Sequence, residues 1–298
     1  MISMDSFFTI RVISAVVIAF IYMLFDVFNK RNVPEKFAYA TLVFGFIFTL
    51  ISFDQSTIIS SVTIAAIVLG LGYLVYKFGE IGAADVIEFV ALSLLIPTQT
   101  APFLIGRANQ FGLPFVVSLI VSTGIVSLVI VPLYYLPRAR RLLKRPLIYF
   151  ITDKDLFKST ILSISYLAFT LFIILLLGIN PVGLLLLVIM MINSAIIILF
   201  ERPITDSMVE LVSVEKFEAG DIIAFNLMNE EEIKRLKISV KNFDRLITQE
   251  VIDEMKRKKI KTKIPVYKQA MPLALSIFIA LVLSLLFGNI ILFILPLK

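Results

Sequence analysis

The sequence predicts an all-α polytopic membrane protein of about eight transmembrane helices, with a small α+β cytoplasmic domain before the last helix. The chain has 298 residues, 59% of them hydrophobic, and a mean hydropathy of +0.98, which is more apolar than a soluble domain of this length. Several separate windows of about 20 apolar residues are each long enough to cross the hydrocarbon core. By contrast, 201–268 is densely charged, with acidic and basic residues nearly balanced.

The loops between the apolar segments predict an orientation. Basic residues occur at 30–36, at Lys77 and at 138–145, whereas the connections at 54–56 and 180–181 contain none. Because cytoplasmic loops are enriched in Lys and Arg, we expect both termini outside and every basic cluster in the cytoplasm. The basic residues of 138–145 are expected to contact anionic lipid headgroups. The segments are predicted at 7–27, 37–53, 57–76, 85–103, 113–136, 159–178, 182–200 and 270–295.

The chain is therefore predicted to contain three parts. Residues 1–200 form a membrane domain, 201–268 a soluble cytoplasmic domain, and 269–298 the final transmembrane helix. The soluble domain shows no chemistry of its own, so we expect it to dock a partner or to hold the last membrane helix in place. Its predicted elements are strands at 208–214 and 221–227 and helices at 229–238 and 248–259.

The composition excludes several kinds of chemistry. The chain contains neither histidine nor cysteine, which excludes Ser-His-Asp and Cys-His catalysis, zinc-binding His-Glu-x-x-His motifs, disulfides and Cys-ligated clusters. We therefore predict no metal and no cofactor, and any acid–base chemistry must use carboxylates, Lys, Tyr or Ser. The net charge of +6 belongs to the loops beside the apolar segments, so no nucleic-acid partner is predicted.

Two aspartates lie at the edges of apolar segments. Asp26 ends the first segment, and Asp85 begins the fourth. An ionised Asp within a membrane costs about 2.5–3.5 kcal/mol on insertion scales, and such residues usually serve a function. The predicted orientation places both at a similar depth near the cytoplasmic face. Two carboxylates that meet there would share a proton, one acting as base toward water and the other as acid toward a carbonyl oxygen.

Each aspartate also has a purely structural interpretation. Asp85 could be a helix N-cap, with Glu88 closing a capping box. Asp26 could form an ion pair with Lys30 or Arg31. A negative charge at the C-terminal end of a helix opposes the helix dipole, however, and such failures of local rules indicate a functional site.

The sequence around the two aspartates resembles that of prepilin and preflagellin peptidases, which are intramembrane aspartic proteases of the GxGD type. "DVFNKRNVPE" (26–35) is similar to their first-aspartate motif, and "GAAD" (82–85) to their Gly-x-Gly-Asp motif. The resemblance implies that Asp26 and Asp85 are the catalytic pair. It is strongest to the archaeal branch, which has a soluble segment before the last helix and lacks a cysteine-rich loop. The chain departs from the pattern in an additional helical hairpin around 159–200.

Small residues and one proline are predicted to support the site. Gly82, Ala83 and Ala84 would let a backbone or substrate approach Asp85 closely, although simple helix packing explains them as well. Ala84 stands where the family motif has its second Gly. "MPLALS" (271–276) resembles the Pro-Ala-Leu region of presenilin, and Pro272 would free backbone groups to hold an extended substrate. Pro in the first turn of a helix is also ordinary.

The resemblance implies an intramembrane aspartic endopeptidase that removes the short basic leader from pilin-like or archaellin-like precursors at the cytoplasmic membrane face. A leader that ends in Lys or Arg would meet negative charge from Glu35, Glu80 and Glu88, unless these acids are solvated loop residues. Two alternatives remain open from the sequence. One is a proton-coupled transporter that uses Asp26 and Asp85 as a relay, and the other is a non-catalytic scaffold for a secretion or pilus machine.

Overall fold

A computed structural model describes most of the chain. The described residues are 4–29, 33–51, 55–96, 114–143, 146–176, 178–240, 243–260, 262–268 and 272–288. Lys30, Arg31 and the segment 97–113 lie outside them, as do the last ten residues of the chain.

The membrane region is helical. Its helices are α1 (Met4–Phe28), α2 (Glu35–Ile51), α3 (Gln55–Lys77), α4 (Ala83–Leu95), α5 (Phe115–Leu143), α6 (Asp153–Leu176), α7 (Pro181–Leu199) and, near the end of the chain, α11 (Leu273–Phe287).

Each predicted membrane segment corresponds to one of these helices. Within the described residues, five helices are long and apolar enough to cross a membrane, namely Phe7–Phe28 of α1 together with α3, α5, α6 and α7. The chain is thus a multi-pass membrane protein. Helices α2, α4 and α11 have 17, 13 and 15 residues, fewer than the roughly 20 needed to span the hydrocarbon core. The predicted count of eight spanning helices is therefore not confirmed.

Helix α4 lies at the centre of the membrane region and packs closely on α2 and α3. Two glycines make this possible. A Cβ added at Gly72 of α3 would lie 2.5 Å from Val86 Cγ1, and one at Gly45 of α2 would lie 3.1 Å from Leu94 Cβ. Glycine brings helix backbones within van der Waals contact in a membrane, where packing replaces the hydrophobic effect. All residues of α4 from Glu88 to Leu95 are buried, so the helix is held on all sides.

The C-terminal end of α4 is held by a buried arginine. The Arg11 side chain on α1 is 4% exposed and donates from Nε to Leu95 O at 2.9 Å and from Nη2 to Leu94 O at 2.6 Å. Thr49 on α2 donates to Leu94 O at 3.1 Å. The last carbonyls of a helix have no partner within the helix, and a cation there also interacts favourably with the helix dipole.

Helix α11 packs between α1 and α5, and these helices share one apolar core with α4. A hydrogen bond of 3.1 Å joins Ser284 Oγ of α11 to Ser122 Oγ of α5. Helices α6 and α7 form a hairpin that contacts α5 through α7. Large apolar side chains cover the outer faces of this hairpin, as expected for surfaces in contact with lipid.

The charged segment folds around a small apolar core of its own. It contains α8 (Glu201–Met208), α9 (Glu230–Ser239) and α10 (Gln249–Arg257), and two short strands, β1 (Glu210–Val212) and β2 (Ile264–Val266). The strands pair antiparallel, with Glu210 opposite Val266. The two predicted helices are confirmed as α9 and α10, and Thr248 caps α10 by accepting from Val251 N at 3.5 Å.

The predicted strand at 221–227 is wrong. Ile223 N donates to Arg245 O at 2.8 Å, whereas the next amide, Ala224 N, donates to Pro265 O at 2.9 Å. Consecutive residues thus bond to two different segments, so no ladder extends, and Phe225–Leu227 forms a 3-10 turn instead. The first predicted strand, 208–214, is reduced to β1, which pairs with β2.

Candidate active site

Asp26 lies near the C-terminal end of α1 and is only 8% exposed. Its Oδ2 accepts a hydrogen bond of 3.1 Å from Ala274 N, in the first turn of α11. The amides of a first helical turn have no partner within the helix and favour negative charge. The unfavourable position of Asp26 on its own helix is therefore offset by the N-terminus of another helix. The ion pair predicted with Lys30 or Arg31 falls outside the described residues.

Asp85 is the third residue of α4 and not its N-cap. The cap position is held by Gly82, whose backbone N–H donates to Asp85 Oδ2 at 3.1 Å. The N-cap interpretation is therefore wrong as stated, because the helix begins three residues earlier than an N-cap at Asp85 requires. Asp85 still satisfies one backbone donor at the start of α4, and its side chain is half-buried.

The fold brings Asp26 and Asp85 together. They come from helices that are separated in sequence by α2 and α3, yet their carboxyl groups lie within electrostatic reach of each other. Each accepts a hydrogen bond from an amide at the start of a helix. Two carboxyl groups that interact in this way resist simultaneous ionisation.

The small residues before Asp85 differ in their surroundings. A Cβ added at Gly82 would lie 2.9 Å from Asp85 Oδ2, so glycine leaves room for the carboxylate to fold back on the helix start. Ala83 is exposed. Ala84 is half-buried and packs against the core shared by α1, α4 and α11. The structure thus places Gly82 on the carboxylate itself and Ala84 in helix packing.

Pro272 is the N-cap residue of α11 and is buried. It lies two residues before Ala274, whose amide binds Asp26. The fold therefore places the proline beside the first aspartate. Met271, the first residue of the predicted motif, lies outside the described residues. A role for Pro272 in holding substrate stays a prediction.

Glu88 is a third acidic residue at this site. It is 0% exposed, and its carboxyl group lies within electrostatic reach of both Asp85 and Asp26. As the sixth residue of α4 it is too far along the helix to cap it, so its predicted capping role is wrong. Glu35 and Glu80 are exposed and fit the solvated interpretation, which Glu88 does not. Its place within an apolar run, three residues after Asp85, is the signal that could have distinguished it from the other two.

Tyr22 is a polar group of the site that the sequence did not indicate. It lies one turn before Asp26 on α1 and is 0% exposed. Its hydroxyl is 3.0 Å from Thr41 Oγ1. Because Thr41 gives its own hydrogen to Ala38 O at 2.7 Å, the Tyr22 hydroxyl donates to Thr41. Tyrosine residues are common in apolar helices, so only the fold shows that this one lies within electrostatic reach of Glu88 and Asp85.

The loop before α4 contacts the charged segment 201–268. Arg245 forms an ion pair with Glu80, and its aliphatic chain passes close to Gly79, where an added Cβ would lie 3.7 Å from Arg245 Cγ. Gly79 has φ +72, a conformation that favours glycine. The 201–268 segment therefore touches the short connection that leads into Asp85.

Comparison with known proteins bears on the same region. Residues 12–134 match the model of the type IV leader peptidase family. The matched part extends from α1 into α5, and so it includes Asp26 and Asp85 but neither the soluble region nor α11. The predicted resemblance to prepilin-type peptidases is confirmed over these residues. No curated protein and no solved structure matches the chain.

Proposed function

We propose that the chain is an aspartic endopeptidase that removes the leader peptide from pilin-like or archaellin-like precursors, with Asp26 and Asp85 as its catalytic pair. The family match supports a leader peptidase acting on prepilin-like substrates in general. The observation that supports the choice of residues is that these two carboxyl groups lie within electrostatic reach of each other and each accept a hydrogen bond from an amide at the start of a helix. The match over residues 12–134 favours the peptidase over the proton-coupled transporter.

The proposed mechanism uses one proton shared between two carboxyl groups. The ionised carboxylate takes a proton from a water molecule, whose oxygen attacks the scissile carbonyl carbon. The protonated carboxyl gives its proton to the carbonyl oxygen, which forms a tetrahedral diol. As this intermediate collapses, the C–N bond breaks and the amine leaves with a proton from the aspartate that had received one. One diol hydroxyl returns its proton to the other aspartate as the C=O bond re-forms, which restores the starting protonation state. No histidine is needed for these steps, in agreement with a chain that has none.

Asp85 is half-buried, whereas Glu88 is fully buried, so the proposed site opens toward solvent on the Asp85 side. Water and an extended peptide reach Asp85 from its exposed side, and α4 leads from there into the apolar core. We place this open side, together with the soluble region, at the cytoplasmic face, as the basic loops predict. The basic residues around 138–145, partly at the end of α5, would then lie against lipid headgroups.

Leader removal from a co-expressed precursor tests the proposal. The chain would be expressed with a tagged pilin-like precursor, and leader removal would be followed as a mobility shift and by mass spectrometry of the new N-terminus. The matched control is the chain with Asp26→Asn and Asp85→Asn together, at equal folded abundance. We expect cleavage by the parent and none by the control. A folded parent that cleaves neither pilin-like nor archaellin-like precursors would contradict the proposal.

A further inference from the structure

Asn193 is a polar residue inside the apolar helix α7. It lies eight residues before Glu201, the next charged residue along the chain, which at 1.5 Å per residue is about 12 Å. Among the membrane helices that the structure describes, it is the only amide side chain that lies away from a helix end. The amide is therefore placed within the hydrocarbon layer, where water cannot satisfy it.

The hydrogen-bonding groups of Asn193 are only partly used within the chain. Its Nδ2 donates to Ile189 O at 2.8 Å, on the exposed side of the helix, and this bond uses one of two hydrogens. No described residue donates to its Oδ1, whereas the neighbouring Ser194 lies 3.3 Å from the Tyr166 hydroxyl of α6. One donor hydrogen and one acceptor oxygen thus face lipid, which is unfavourable for a polar group without a partner.

Asn193 belongs to a seam on α7 with heptad spacing. The seam consists of Val182, Leu186, Ile189, Asn193 and Ile196, at successive intervals of four, three, four and three residues. None of them is buried, because α7 turns Gly183 and Leu187 toward the rest of the fold. Such intervals align apolar residues on one side of a helix, where a second helix packs knobs-into-holes. A single Asn on such a seam fixes the register and the number of the paired helices.

We propose that this seam binds the same seam of a second copy of the chain, with the two Asn193 amides hydrogen-bonded to each other. Copies inserted in one orientation are related by a two-fold axis along the membrane normal, so their α7 helices run parallel and Asn193 meets Asn193 at the same depth. Because an amide is both donor and acceptor, each Nδ2–H bonds to Oδ1 of the other copy. This self-complementarity favours a second copy over an apolar helix of another protein.

The proposed interface is independent of the peptidase proposal. It lies on the additional hairpin of α6 and α7, outside residues 12–134, which match the leader peptidase family. Neither Asp26 nor Asp85 belongs to α7, so a change on the seam leaves the proposed catalytic residues as they are.

Disulfide crosslinking tests the interface, because the chain has no cysteine of its own. Ile189→Cys places one thiol on the seam, one turn from Asn193, and the control Leu71→Cys places one on α3, where Leu71 is 61% exposed. Oxidation in isolated membranes should convert the Ile189→Cys chain to a species of twice its mass and leave the Leu71→Cys chain monomeric. Adding Asn193→Leu should lower the crosslinked fraction, whereas Asn193→Gln, which retains the amide, should preserve most of it.

Sedimentation equilibrium of the full chain in detergent measures the pairing without added cysteine. We expect Asn193→Leu to raise the Kd of the dimer by about fivefold or more, and Asn193→Gln to change it by less than about threefold. A monomeric parent, equal crosslinking of the two cysteine variants, crosslinking of Ile189→Cys only to another protein, or equal Kd values for the parent and Asn193→Leu would each overturn the proposal. If Asn193→Leu does not fold, Asn193→Met replaces it and must meet the same expectation.

Discussion

The two ends of α4 are surrounded by charged groups of opposite sign. At the C-terminal end, the buried cation of Arg11 gives its hydrogens to Leu94 O and Leu95 O, and Thr49 adds a further hydrogen bond to Leu94 O. At the N-terminal end, three carboxyl groups lie within electrostatic reach of one another, and the oxygens of Glu88 have no hydrogen-bond partner in the described structure.

The difference between the two ends separates residues that contribute to stability from residues that contribute to function. A buried charge that is fully hydrogen-bonded is costly to remove but does no chemistry. Carboxyl groups held near one another resist simultaneous ionisation, and such clusters are common at sites where chemistry or binding requires them. We therefore expect substitutions at the C-terminal end of α4 to lower the stability of the protein and those at its N-terminal end to lower its activity.

The largest effect is expected from the aspartates. Asp26→Asn and Asp85→Asn should each reduce leader removal by at least about 10³-fold, because an amide cannot act as base or share a proton. Both variants should fold, since the amide oxygen can still accept from Ala274 N or from Gly82 N. Single-turnover cleavage of a purified precursor measures the loss, and thermal unfolding in detergent checks the fold.

The double variant shows whether the two residues act as one unit. Groups that share one chemical step are strongly non-additive, so the double Asn variant should be no slower than either single variant. Multiplication of the two losses would mean that the aspartates act in separate steps. A folded Asp85→Asn protein that cleaves at the parental rate would show that Asp85 has only a structural role, as the acceptor of the hydrogen bond from Gly82 N.

Arg11→Met tests the opposite end of the helix. Methionine keeps much of the length of the side chain but removes the hydrogen bonds to two carbonyls, so we expect a loss of about 2–3 kcal/mol in the free energy of unfolding. Unfolding in detergent measures this loss, and cleavage by the protein that remains folded should keep the parental kcat. Thr49→Val, which removes one neutral donor, should cost about 1 kcal/mol. A stable Arg11→Met protein with low kcat would reverse the roles of the two ends.

Gly82→Ala should have an intermediate effect confined to activity. The added Cβ would lie 2.9 Å from Asp85 Oδ2, so the carboxylate must move by a few tenths of an ångström. Misplacement of a catalytic group by 1 Å can cost about 10²-fold, and we expect a loss of about tenfold in kcat with little change in stability. The matched control is Gly70→Ala, whose Cβ would meet nothing within 4 Å. Equal activities of the two variants would contradict the close approach.

The sequence was sufficient to locate the membrane helices and the aspartates at their ends, but not the partners of those aspartates. Long apolar windows specify helices by composition alone, and an Asp at the end of such a window is conspicuous. The hydrogen bond from Ala274 N to Asp26 Oδ2 joins residues at opposite ends of the chain, and no local sequence pattern encodes such a contact.

The start of α4 shows a second limit. Gly82 and the alanines after it are poor markers of a helix start, and Asp85 is a strong one, so the pattern placed the cap three residues late. That shift changed the interpretation of Glu88 from a capping residue near the surface to a buried acid. Likewise, the short strands of the soluble region depend on pairing between 210–212 and 264–266, which only tertiary packing decides.

The smallest effect is expected where the soluble region touches the loop before α4. The ion pair between Arg245 and Glu80 is largely exposed, with side-chain exposures of 42% and 56%, and exposed pairs contribute about 0–1 kcal/mol. Arg245→Gln should therefore change the unfolding temperature by only a few degrees and kcat/KM by less than about threefold. If the soluble region instead sets the position of Asp85, Arg245→Gln should lower kcat as Gly82→Ala does, and Glu80→Gln should lower it equally because it breaks the same pair. Measuring both variants against Gly82→Ala decides whether this domain supports the N-terminal end of α4 or only rests beside it.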